Sequence, residues 1–96
     1  MNKPSLLHIP GVMLRMIRES AGWHRPRFAR ALARLEHAEE DFTSVSSIER
    51  YEKRRIVPPR QVERYRAVIG EEIFDELLEL YRKERLEYLR RTGQIE

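Results

Sequence analysis

The side chains best suited to chemistry in this sequence are gathered between Thr43 and Pro59, in the stretch TSVSSIERYEKRRIVPP. Its residue types and spacing describe one short helix with a cationic exit. Ser44 or Ser46 can start the helix, because a serine oxygen accepts an orphan backbone N–H of the first turn. Ser46 and Glu49 also have capping-box spacing. Val45, Ile48, Tyr51 and Glu52 fall three or four apart and share one face. Ser46, Ser47, Glu49, Arg50 and Lys53 fall elsewhere and are expected to face outward. Lys53, Arg54 and Arg55 place three positive charges at the exit. Pro58 and Pro59 then stop the helix, since proline has no N–H to donate and restricts the residue before it. A short helix with a polar outward face and a cationic exit suits insertion into a DNA major groove. The same residues also fit a solvated surface helix with a charged end.

Catalytic constellations are poor by comparison. There is no cysteine nucleophile, and no serine sits in a GxSxG setting. The four glycines stand isolated at 11, 22, 70 and 93, so no Gly-rich phosphate loop exists. HExxH is absent, and the pairs Glu39–Glu40 and Glu71–Glu72 read as solvated charge. His37 lies beside glutamates with no second ligand pair at metal spacing, and His8 reads as an ordinary surface histidine. The sequence therefore predicts no enzyme, no catalytic residue, no metal site, no cofactor and no small-molecule substrate.

Composition is consistent with that. The 96 residues predict one domain with a modest core, and the charged fraction is high at 36%. The lack of cysteine rules out disulfides and thiolate-ligated zinc and fits a reducing, cytoplasmic setting. No apolar run approaches the roughly 20 residues of a membrane helix, and the N-terminus has no signal-peptide core. Net charge is +3, unevenly spread. Residues 1–60 hold twelve Lys/Arg against seven Asp/Glu, whereas residues 61–96 hold seven against nine. The basic part contains the short helix, as expected if one half of the molecule meets phosphate.

The positioning elements are helices, since no segment shows sustained alternation of apolar and polar residues. Residues 1–11, with a Pro10–Gly11 pair, form an arm whose Leu6, Leu7 and Ile9 can pack. Val12 to Ala21 is the first helix, with Leu14, Ile17 and Ala21 at helical spacing, Val12, Met13 and Met16 widening the apolar side, and Gly22 at its end. A second begins near His24–Arg25 with Pro26 in its first turn, and Phe28, Leu32 and Leu35 form its face. Trp23 precedes it as a staple. The acidic run Glu36 to Phe42 either extends this helix or forms a loop. Arg60 to Ile69 is the fourth helix, ended by Gly70. Glu71 to Arg91 is a fifth, roughly 31 Å long if fully helical. Ile73, Phe74, Leu77 and Leu78 should pack its first half on the body. Its second half keeps a narrow line of Tyr81, Tyr88 and Leu89, with Arg85 among them.

In this order the pieces resemble the Cro/repressor-type, or XRE-type, helix-turn-helix family over residues 12–70. The family's first helix ends in R-E-x-x-G, here Arg18-Glu19-Ser20-Ala21-Gly22. Arg25 stands at a position often filled by Gln, and Phe28-Ala29 at L-A. The third helix of the family reads S-I-x-x-x-E-x-G-x-x-x-P, matched here at Ser47, Ile48, Glu52 and Pro58. Two departures are plain. Arg54 replaces the glycine after the third helix, so that turn must be rebuilt. Extra residues at 34–43 separate the second and third helices.

The resemblance implies an all-α, five-helix lambda-repressor-like fold with an N-terminal arm (1–11), a helix-turn-helix domain (12–70) and an extended C-terminal helix (71–96). It implies a transcriptional regulator, most simply a repressor of phage, plasmid or bacterial origin, that binds double-stranded DNA. Val45, Ser46 and Arg50 stand at base-reading positions, and Arg25, Lys53 and Arg55 at phosphate positions. The Arg18 and Glu52 positions form a buried pair in some members. Because such a domain reads only a few base pairs, a homodimer on a two-fold operator is expected, joined through Tyr81, Arg85, Tyr88 and Leu89 of the C-terminal helix. The alternative is a protein-interaction module on the same fold, an antiactivator or antitoxin that masks a partner.

Overall fold

The computed structural model describes residues 4–35 and 44–93. The acidic run with His37, and most of the extension before the third helix, lie outside the described residues. Five α-helices account for the architecture: α1 (Gly11–Ser20), α2 (Arg25–Ala33), α3 (Val45–Glu52), α4 (Pro59–Ile69) and α5 (Glu71–Arg91). No strand occurs among the described residues; an isolated antiparallel bridge joins Ile9 to Val57.

Local chemistry sets the helix ends. Gly22 takes φ +85° after α1, and the Trp23 and Gly22 N–H groups return to the carbonyls of Arg18 and Glu19. That is a Schellman ending, which a residue with a Cβ enters at a cost. Pro26 occupies the first turn of α2 and Pro59 opens α4, where a missing N–H is no loss. Gly70, at φ +106°, ends α4 and is also the residue from which α5 starts.

The core is built from one face of each helix. Leu14 and Ile17 of α1, Phe28 of α2, Ile48 of α3, Val62 of α4, and Phe74 and Leu78 of α5 are fully buried, joined by Ile9 and Val57. α1 packs against α3, α4 and α5, while α2 packs against α3 and α4. Trp23 lies edge-on to Phe28 at 5.8 Å and Phe28 lies 4.7 Å from Tyr65, which closes the end of the core where α2 begins. Arg66 is buried and ties α4 to α5 through two 2.8 Å hydrogen bonds to Asp75. These bonds, against a smaller opposing effect of burial, raise its pKa above the ordinary arginine value.

Several apolar side chains expected in the core lie outside it. Val12, Met16 and Ile73 are exposed. A helix buries only the side chains facing its neighbours, and these three fall at the edges of wide apolar stripes. Ser47 departs the other way: it was expected outward and is buried. It sits at the third helical position of α3 under the cap, where the Ser44 hydroxyl donates to its Oγ at 2.8 Å.

Candidate nucleic-acid interface

The cap of α3 falls on Ser44, whose Oγ accepts from the Ser47 N–H at 3.0 Å. The Ser46–Glu49 capping box is not used, and the Ser46 side chain is left exposed. Ser46, Arg50 and Lys53 then follow one another at four- and three-residue steps along the outer side, all exposed. The Arg50 guanidinium lies 5.6 Å over the Tyr51 ring and 3.5 Å from Ser47 Oγ, contacts that leave its position partly set in advance. Arg54, 5.2 Å over the Tyr51 ring, and Arg55 are exposed beyond the exit.

The inner side of α3 is held by Glu52. Arg18 of α1 donates Nε to Oε2 at 2.7 Å and Nη2 to Oε1 at 2.9 Å, with both side chains almost fully buried. Tyr65 of α4 donates its hydroxyl to Oε2 at 2.8 Å, and Arg25 of α2 reaches Oε1 at 3.4 Å. Arg18 also donates to the Trp23 carbonyl at 2.7 Å. One carboxylate on α3 is thus fastened to three other helices. A bidentate guanidinium–carboxylate pair fixes orientation as well as distance, so the outward aim of Ser46 and Arg50 follows from the inward grip on Glu52. Burial works against the charge on Arg18, but its hydrogen bond to Glu52 and that carboxylate's charge outweigh it and raise the pKa. Burial, then the negative charge of Glu52, push the Tyr65 phenol far above its usual value. Tyr65 therefore stays a donor.

The exit turn is rebuilt around Arg54. Lys53 caps α3 in the right-handed region, and among the described non-glycine residues positive φ occurs at His8 alone. The Arg54 carbonyl accepts from the Gly11 N–H at 2.9 Å, and the Val57 N–H donates to the Ile9 carbonyl at 2.8 Å. The N-terminal arm thus bonds to the exit of α3 at Arg54. Gly11 permits this close approach: a Cβ there would lie 2.5 Å from the carbonyl oxygens of Tyr51 and Glu52.

The structure sorts the residues singled out by sequence. Ser46, Arg50, Lys53 and Arg55 are all exposed, the first three at helical steps along α3 and its cap. Val45 is half-buried and partly packed on the core, which leaves it less of its surface for a base. Arg25 retains 30% side-chain exposure but is engaged with Glu52. A cleft of about 530 Å³ separates the starts of α2 and α3, lined by Trp23, His24, Arg25, Val45 and Glu49 among others. Arg27 stacks 4.6 Å over Trp23 at its side.

The narrow line on α5 is broken up. Tyr81 belongs to its own domain, half-buried against the core with its hydroxyl bonded to Ser20 of α1. Arg85 faces the α3 exit and lines a second cleft with Lys53, Arg54, Arg55 and His8. Arg85 and Tyr88 are exposed and Leu89 is half-buried. Sequence reasoning missed Tyr65, Arg85 and His8 as neighbours of α3. Only Tyr65 left a signal: a tyrosine on a core face needs a partner for its hydroxyl. Among the described residues no His, Cys, Asp or Glu cluster is placed to hold a metal, and no helix is long and apolar enough to cross a membrane.

No family model, curated protein or solved structure matches this chain.

Proposed function

We propose that the protein is a sequence-specific, double-stranded-DNA-binding transcriptional regulator of the Cro/repressor type, acting as a homodimer. The observation that carries this reading is the two-sided construction of α3. Its inner side is locked through Glu52 to α1, α2 and α4. Its outer side presents Ser46 and Arg50, followed by Lys53, Arg54 and Arg55, all exposed. A rigid donor face can enter a major groove, where arginine bonds guanine O6 and N7 together, and the cations beyond it meet phosphate. A solvated surface helix would need no such grip.

The homodimer is supported by α5. Ile73, Leu80 and Tyr88 are exposed along one side, each near half of its surface. Charge along the helix is segregated. Glu71, Glu72, Asp75, Glu76 and Glu79 fill the first half, whereas Arg82, Lys83, Arg85, Arg90 and Arg91 dominate the second. Two copies laid antiparallel set each acidic half against the other's basic half, so a second copy fits this side better than an arbitrary apolar partner.

Selection of bound duplexes from random DNA with the purified protein tests the function. Enrichment of a two-fold symmetric sequence is expected, with binding that weakens as salt rises. Absence of enrichment, together with salt-insensitive binding or none, would overturn it.

A further inference from the structure

We propose that the cleft between the α3 exit, the N-terminal arm and α5 is a phosphate-binding site to which Arg85 and His8 contribute as well as Lys53, Arg54 and Arg55. The cleft has a volume of about 440 Å³. At about 30 Å³ per water molecule it has room for a phosphate group and part of its hydration shell. Its cationic side chains come from three separate parts of the chain. Lys53, Arg54 and Arg55 follow α3, Arg85 projects from the second half of α5, and His8 belongs to the arm. Four fixed positive charges drawn to one cleft repel one another unless an anion joins them.

The one carboxylate among the lining residues does not neutralise the group. Glu52 is buried, and its oxygens already accept from Arg18, Arg25 and Tyr65. Its charge is thus engaged by those donors, and the rim of the cleft is left cationic. The rim is also held in place. Arg82, one turn before Arg85, donates to the Leu7 carbonyl at 3.2 Å, which joins the arm to α5. The arm in turn is bonded to the α3 exit through Gly11 and Val57. Arginine forks and a histidine N–H around an open hollow suit a tetrahedral oxyanion.

The phosphate has two sources. It is either a backbone phosphate of bound duplex, which rests on the function proposed above, or the phosphate of a free small molecule, which does not. The protein and three variants separate them. Arg85→Ala and His8→Ala each remove a cleft side chain, and Arg30→Ala removes an exposed cation of α2 outside the cleft. Inorganic pyrophosphate is titrated by calorimetry at low salt, and a random-sequence duplex by fluorescence anisotropy over a salt series. Arg85→Ala is expected to weaken pyrophosphate binding several-fold and to reduce the slope of log affinity against log salt for duplex by about one. Arg30→Ala should leave both near wild type, and His8→Ala should give a smaller loss in the same direction as Arg85→Ala. A change in the duplex slope without one for pyrophosphate assigns the site to the DNA backbone. A change for pyrophosphate in a protein that binds no duplex sustains the site while removing the DNA-binding function. If Arg85→Ala changes neither, or no more than Arg30→Ala does, the cleft is not a phosphate site.

Discussion

Glu52 shows what a single residue decides in this protein. It is a carboxylate on the inner side of an eight-residue helix, and four donor groups converge on it. Removing one member of a buried ion pair leaves the other charged and unpartnered, at about 3–5 kcal/mol. Glu52→Gln should therefore lower the urea midpoint far more than Glu49→Gln, whose cost should stay within about 0.5 kcal/mol. Equal losses would mean that α3 is not held by this carboxylate. Tyr65 adds a pH dependence whose sign is fixed. Its phenol titrates higher in the folded chain than in the unfolded one. Below about pH 10 both states hold the proton and the stabilisation is complete. Above it the unfolded chain releases the proton first, so stability falls as pH rises, by up to about 1.4 kcal/mol per unit. Urea denaturation between about pH 9 and 11 should show a steeper loss for wild type than for Tyr65→Phe. Parallel slopes would remove Tyr65 from the alkaline transition.

At the scale of elements, helix order and number were legible in the sequence, because apolar periodicity, the prolines at 26 and 59 and the glycines at 22 and 70 are local signals. The buried Arg18–Glu52 pair was reached through resemblance rather than through spacing. What stayed hidden was tertiary. Nothing local tells Ser44 from Ser46 as the cap; with Ser44 as the cap, Ser47 is buried and Ser46 is left exposed. Nothing local brings Arg85 to Lys53, or turns Tyr81 inward to Ser20. Likewise Pro10–Gly11 reads as a turn but opens α1, since the glycine is needed where α1 touches the end of α3. Gly11→Ala places a methyl group against two backbone carbonyls that cannot swing away. It should cost about 1–3 kcal/mol, read as a drop of several degrees in Tm. An unchanged Tm would show that the arm and the α3 exit are not in this close contact.

At the scale of the whole molecule, charge separates the tasks. The basic part carries α3 and its exit, and the C-terminal helix carries an acidic half, a basic half and an exposed apolar side. Leu80 and Tyr88 are each about half exposed, so replacing both with glutamate should leave the fold intact. On the proposed homodimer, sedimentation equilibrium should give a dimer for wild type and a monomer for this variant, with the helical circular dichroism unchanged. Persistence of the dimer would move the interface off this side of α5.

The most direct measurement compares Arg50→Ala and Lys53→Ala on the selected duplex and on a random one across a salt series. If α3 reads sequence, Arg50→Ala loses about 1–3 kcal/mol on the selected site and little on random duplex. Lys53→Ala should weaken both to a similar degree and lower the salt slope by about one. An Arg50→Ala protein that keeps the wild-type ratio between selected and random duplex would contradict the assignment of α3 as the reader.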